Sequence, residues 1–271
     1  MNRLKAVAFD LDDTLLHDDL TLSPYTIEVF RRMHSAGFLF IAASGRTPMS
    51  MKPFVDQLDC VSLSIACNGA VILDPATGKS LHREAFSPEL AREIARFGNE
   101  HSCYAQTYSD DRFFFNEYSE YSERYAAASM LPGEYVGDLV SFIREPRSKI
   151  LMMADDAKIA SMLSEAAVRF EGRVSVTCSK PYFLEFNPIR ATKGIALRKS
   201  ADLLGITLEE IIAFGDSLND LPMLLAAGCS VCVSNARPDV RSRCDAVCRS
   251  NEEDGVARYL ADHMLQEEVS F

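Results

Sequence analysis

The tightest constraint on the fold is the run LKAVAFDLDDTLLHDD at residues 4–19, where an apolar segment ends abruptly in acid. Leu4 to Phe9 reads as a short buried strand. Asp10, Asp12 and Asp13 follow at once, with Asp18 and Asp19 close behind. Two carboxylates ~4 Å apart repel by about 4 kcal/mol at an effective dielectric of ~20. So apolar a strand does not let them all splay into water, so some must be protonated or neutralised. A hard divalent cation with oxygen ligands is the natural neutraliser, and Mg²⁺ is favoured because it takes one or two carboxylates plus water and substrate phosphate.

The pattern beyond this strand is that of an α/β protein. Ser23-Pro24 caps and opens a helix that Gly37 ends, residues 38–44 form a second apolar strand, and Thr47-Pro48 opens another helix. Strands at 62–67 and 70–73 flank Asn68-Gly69, a hairpin-type turn signal. From Phe86 the texture changes. A capped helix at Ser87-Pro88-Glu89 precedes strands at 103–108 and 112–116 around Asp110-Asp111, a helix at 120–130, a strand at 149–154, a helix at 157–170, and strands at 173–178 and 182–186. After Lys193 the simple rhythm returns: a strand at 211–216, a helix at 217–228, a strand at 229–233 and a helix from about Glu252. The reading is a doubly wound parallel-sheet α/β core made of residues 1–83 and 190–271. An α+β cap domain is inserted at 84–189, with an antiparallel sheet and helices on one face. A length of 271 residues, near the size where one hydrophobic core stops growing, agrees with two units.

A formal charge of −11 argues against a nucleic-acid partner but leaves room for an anionic small substrate, because a local field can oppose the net charge. No signal peptide is visible and no apolar run approaches the ~18 residues of a membrane span, so a cytoplasmic protein with no membrane association is expected; no protein partner is evident. Cys229, Cys232, Cys244 and Cys248 have a spacing that could suit zinc. Cys232 sits within SVCV, a buried-strand pattern that fixes its side chain in a core layer, so these cysteines read as buried thiols.

Four polar features stand at the carboxyl ends of core strands or at the start of the helix leading back to the core. They are Asp10 with Asp12, Ser44-Gly45-Arg46, Asp216 with Asn219 and Asp220, and Lys193-Gly194. Open α/β sheets bind ligands outside those strand ends. Ser44, the Gly45 amide, Lys193 and Asn219 are donors of the kind that grip phosphate oxygens. Acid, metal and anion cradle together suit phosphoryl transfer.

The segments FDLDDTLL (9–16), ASGR (43–46), Lys193-Gly194 and GDSLNDLPML (215–224) resemble, in order, the four motifs of the haloacid dehalogenase-like superfamily. CNGA at 67–70, the place of the insert and NEEDGVARYL at 251–260 resemble its Cof-type branch, with a type IIB α+β cap. The resemblance implies a Mg²⁺-dependent phosphatase acting on a small phosphorylated metabolite such as a sugar phosphate. Asp10 is implied as nucleophile and Asp12 as general acid and base. The metal is implied on the Asp10 and Asp216 carboxylates and the Asp12 backbone carbonyl, with Asp220 direct or through water. Ser44, Gly45, Lys193 and Asn219 are implied as phosphate ligands. A phosphosugar mutase sharing the aspartyl-phosphate, and a non-catalytic phosphometabolite-binding protein, stay open as alternatives.

Simpler roles compete at several positions. Asp220 forms an S-x-x-D capping pattern with Ser217. Arg46 reads as holding its loop, and Tyr118, Tyr121 and Tyr125 as a core stripe. Asp13, Asp18 and Asp19 read as solvated. The sequence departs from the branch at Ser234, where glycine is usual, and at NPIRAT, where Arg190 either reaches the substrate mouth or stays in solvent.

Overall fold

The computed structural model describes residues 4–109, 112–178 and 180–265, so the turn expected at Asp110-Asp111 lies outside the described residues. The strands run along the chain as β1 (Ala6–Phe9), β2 (Leu39–Ala43), β3 (Val61–Ala66), β4 (Val71–Leu73), β5 (Ser80–Arg83), β6 (Tyr104–Tyr108), β7 (Phe113–Phe115), β8 (Gly133–Tyr135), β9 (Ile150–Met153), β10 (Val174–Thr177), β11 (Phe183–Pro188), β12 (Ile211–Gly215), β13 (Cys229–Cys232) and β14 (Ala246–Val247). They form two sheets. The first has the order β14-β13-β12-β1-β2-β3-β4-β5, parallel from β14 to β3 and antiparallel through β4 and β5.

Strand β1 is the switch point of this sheet. The chain winds outward from it through β2 and β3 on one side, and through β12, β13 and β14 on the other. All four residues of β1 are buried, because helices cover both faces of a parallel sheet. The helices that do so start as their sequences dictate. Ser23 accepts from the Thr26 N–H ahead of Pro24–Ser35, and Thr47 from the Ser50 N–H ahead of Pro48–Leu58. Each has proline in its first turn, where the missing donor costs nothing.

The second sheet has the order β10-β11-β9-β6-β7-β8 and is antiparallel except for the β7–β8 pair. Its side chains alternate between two separate apolar clusters. Ile150, Met152, Leu184 and Phe186 pack with the helices Pro88–Glu100 and Asp156–Arg169. Leu151, Met153, Tyr104 and Tyr108 face the other way, onto Tyr121 and Tyr125 of the helix Glu120–Ser129. Helices therefore lie on both faces of this sheet, not on one, because strands this apolar on both sides need cover on both.

Two further readings change. Strands β5, β8 and β14 lack a clear apolar alternation; β5 and β8 are short edge strands with exposed residues, and their register comes from backbone pairing. The helix expected over 217–228 shrinks to Leu221–Leu224, because the Asp220 carboxylate accepts from the Asp216 and Ser217 N–H groups at 3.1 and 3.0 Å and holds the preceding residues as a turn. The S-x-x-D pattern thus caps backward, onto the loop. Among the described residues no helix is long and apolar enough to cross a membrane.

Candidate active site

Three adjacent strands deliver the acidic residues and the cradle loop to one place. Asp10 leaves the end of β1, Ser44-Gly45-Arg46 the end of β2, and Asp216 the end of β12; β1 pairs with both neighbours. The Asp10 N–H donates to the Phe214 carbonyl at 3.1 Å, so the ladder continues to the point where the carboxylate begins. Lys193 enters from the start of the helix Lys193–Leu204, which Thr192 caps by accepting from the Ile195 N–H.

Two glycines set this approach. A Cβ on Gly194 would lie 2.2 Å from the Pro222 carbonyl oxygen, and one on Gly215 would lie 2.6 Å from Cβ of Asp220. Without side chains there, the helix carrying Lys193 closes onto the Asp220 turn. Lys193 Nζ then donates to Asp10 Oδ1 at 2.6 Å and to Asp220 Oδ1 at 2.5 Å, with Lys193 and Asp220 fully buried.

Asp10, Asp216 and Asp220 each offer an oxygen, all within 4.8 Å of one another. Three carboxylates face one ammonium, a formal surplus of two negative charges. Burial and then the Asp220 carboxylate push Asp10 well above the ordinary carboxylate range, against the pull of Lys193. Asp216 is pushed up to about 7, by burial first and then by Asp220, although Thr14 Oγ1 donates to it at 3.1 Å. The burial of Lys193, which acts downward, is outweighed by Asp10 and Asp220, and its ammonium is held above its usual range. Hard oxygen donors with this surplus fit a hard divalent cation.

The remaining expected residues divide. Asp12 stands outside the carboxylate cluster: Arg46 grips both its oxygens, at 2.6 Å from Nη2 and 2.8 Å from Nε. Arg46 also donates to Ser50 and lies 4.9 Å above the Phe54 ring. Ser44 is fully buried and its Oγ accepts from the Arg46 N–H at 3.1 Å. Gly45 and Asn219 line a cleft of about 440 Å³ together with Asp10, Asp12 and Asp216. Asn219 Nδ2 donates to Asn68 Oδ1 at 3.0 Å, and its own Oδ1 accepts from Ser217 Oγ. Asp13, Asp18 and Asp19 are exposed, although Asp13 and Asp18 border the cleft. Arg190 is exposed and does not line it.

The second sheet roofs this cleft. Arg124, Lys149, Lys180, Tyr182 and Glu185 line it opposite the carboxylates. Tyr121 and Tyr125 serve both surfaces, packing on the aromatic cluster and lining the cleft, whereas Tyr118 is 77% exposed. Asn68, read in the sequence as a turn residue within CNGA and given no site role, is 6% exposed and has φ of 56°. Glu185 carries a sequence signal, a single charge embedded in an apolar strand run, which costs energy unless it is paired; Lys149 stands at the head of another such run. Among the described residues the sulfurs of Cys229, Cys232, Cys244 and Cys248 form no group of metal-ligating atoms; Cys232 is buried in β13 and its Sγ is 3.7 Å from the Ala246 carbonyl.

A family profile described as haloacid dehalogenase-like hydrolase matches residues 7–260, nearly the whole chain. The chain belongs to the haloacid dehalogenase-like hydrolases. Its relatives in this family are named phosphatases. A 5-amino-6-(5-phospho-D-ribitylamino)uracil phosphatase of Bacillus subtilis is 30% identical over 97% of this chain and 98% of its own length. A pyridoxal phosphate phosphatase of Escherichia coli is 28% identical over 96% and 99%. The crystal structure of a haloacid dehalogenase-like hydrolase from Bacteroides thetaiotaomicron superposes with a TM-score of 0.88 at 26% identity, covering 96% of this chain and 99% of that one. A structure titled as a subclass IIB sugar phosphatase shares the fold, with a TM-score of 0.83 at 20% identity over 95% and 98%. This hydrolase thus has the α/β architecture of its family, with the parallel sheet as its core.

Proposed function

We propose that this hydrolase is a Mg²⁺-dependent phosphomonoesterase that cleaves a small phosphorylated metabolite, a sugar phosphate or a compound like it, through an aspartyl-phosphate. The observation that carries this reading is the cluster of buried Asp10, half-buried Asp216 and buried Asp220 beside Lys193, where adjacent parallel strands end beneath one cleft. A site built only to bind phosphate would not surround a dianion with carboxylates. The phosphatase names of the relatives support the same reading.

Asp10 Oδ attacks phosphorus, the bond from phosphorus to the leaving oxygen breaks, and Asp12 gives that oxygen its proton. Water then attacks the phosphorus of the aspartyl-phosphate, losing a proton to Asp12, and Asp10 is restored as phosphate leaves. Arg46 fixes where the Asp12 carboxylate waits between these transfers. Lys193, the Gly45 amide, Ser44 and Asn219 hold the phosphoryl oxygens, on which charge is spread in the transition state. Mg²⁺, held by the Asp10 and Asp216 carboxylates and the Asp12 backbone carbonyl, would neutralise the surplus charge and polarise the phosphoryl group. Asp220 has both oxygens engaged, by Lys193 and by the two loop amides, and acts as the anchor of that lysine. Residues 84–189 act as a cap domain that excludes water from the cleft.

The test is phosphate release from p-nitrophenyl phosphate with Mg²⁺. EDTA and Asp10→Asn are each expected to abolish turnover. Full activity in pure Asp10→Asn would remove Asp10 as the nucleophile.

A further inference from the structure

Lys149 and Glu185 form a buried ion pair in the roof of the cleft. Glu185 sits within β11 opposite Leu151 of β9, and Lys149 immediately precedes β9 on the same face. Lys149 Nζ donates to Glu185 Oε1 at 2.6 Å, and each residue is 4% exposed. A buried pair is weak support for stability, because desolvating two ions offsets their attraction.

Neither partner is saturated. Oε2 of Glu185 receives one contact, from Asn68 Nδ2 at 3.4 Å, long for an N–H···O bond. The Lys149 ammonium has three protons, and among the described residues its one hydrogen bond goes to Glu185. Both side chains line the cleft that Asp10 and Asp12 line from below. Tyr125, Tyr182 and Phe183 wall the same space.

We infer that the Lys149–Glu185 pair is a recognition subsite for hydroxyl groups on the leaving-group side of the substrate. This rests on the phosphatase reading and adds the side chains that select its substrate. The charge balance of the pair decides what it takes. At the pair itself an anionic group would meet Glu185 and a cationic one Lys149, while Arg124 and Lys180 stand elsewhere on the cleft wall. A neutral hydroxyl suits both, donating to the carboxylate and accepting from the ammonium. An unhydroxylated alkyl chain would leave both ions unsatisfied and is disfavoured for that reason.

Sorbitol phosphate and hexyl phosphate share an unbranched carbon chain and differ in the hydroxyls, so they form the test pair. Glu185→Gln and the paired replacement Lys149→Met with Glu185→Leu, which removes both charges together, are compared with the wild type. Both variants are expected to raise KM for sorbitol phosphate by about 10–100-fold, as loss of hydrogen bonds to charged groups implies. The loss in kcat/KM is expected to be at least ~10-fold larger for sorbitol phosphate than for hexyl phosphate. Equal losses on the two substrates, in variants that melt cooperatively, would overturn the subsite and leave the pair as scaffolding for the roof. Wild-type turnover of either ester that is lost in Asp10→Asn upholds the phosphatase reading separately. With no turnover of either ester by the wild type, calorimetric binding of the two decides: sorbitol phosphate binding that weakens in the variants supports the subsite, and binding that does not change sinks it.

Discussion

At the residue scale the site is organised by Lys193. It is a fully buried ammonium between Asp10 and Asp220, and its removal leaves carboxylates with no counter-charge. Breaking a buried pair from one side costs about 3–5 kcal/mol. Lys193→Met is therefore expected to lose that much stability in chemical denaturation near pH 8. It should lose less at lower pH, because Asp10, held above its ordinary range by burial and then by Asp220, takes up its proton earlier than a free carboxyl and then needs no partner. Its kcat should fall by about 10²–10³-fold, the cost of losing one donor to the transition state. Equal destabilisation as the pH is lowered would show that Asp10 does not titrate as its surroundings demand. Asp10, Asp216 and Lys193 were legible as residues because each stands where a strand ends or a helix begins. Asn68 was not, since its contact with Glu185 spans 117 positions and exists only because β11 lies above the loop.

At the element scale the close contact between the helix Lys193–Leu204 and the Leu221–Leu224 turn sets the geometry. Gly194→Ala drives a methyl group against the Pro222 carbonyl, an overpacking that costs about 1–3 kcal/mol. A lower melting temperature and a lower kcat are expected together, because the displaced helix carries Lys193. Gly205→Ala is the control. That glycine has φ of 69° with no atom near a Cβ, so alanine pays about 1–2 kcal/mol in backbone strain. The control should melt earlier with its kcat kept; a matching loss of kcat would mean that activity follows stability alone. The main helices were readable from Ser-Pro and Thr-Pro starts and the main strands from apolar runs. Strands β5, β8 and β14 were not, because exposed edge strands carry no buried alternation to read.

At the scale of the whole molecule, the two sheets enclose a cleft with carboxylates on its floor. Asp216 keeps its proton up to about pH 7 in the folded, metal-free protein, whereas an unfolded carboxyl titrates near ~3.9. Between those values the folded state binds more protons than the unfolded state, so this group's contribution to stability falls as pH rises. A cation that binds the deprotonated cluster reverses that loss. Mg²⁺ is therefore expected to raise the melting temperature, and to raise it more near pH 8 than near pH 5. A Mg²⁺ shift that is the same at both would argue against carboxylate ligation.

The sequence by itself determined the class of the molecule and the chemistry at its strand ends. Both are written in near-neighbour patterns: an apolar run that stops in aspartate, a helix start at Lys193-Gly194, and Asp216, Asn219 and Asp220 following an apolar strand. Only the tertiary structure decided which strands adjoin. It set β1 between β2 and β12, seated Lys193 on an aspartate 183 positions away, gave Asp12 to Arg46, and laid Lys149 and Glu185 over the cleft. These contacts follow from sheet pairing and core packing across long sequence separations, and local propensity carries no record of them.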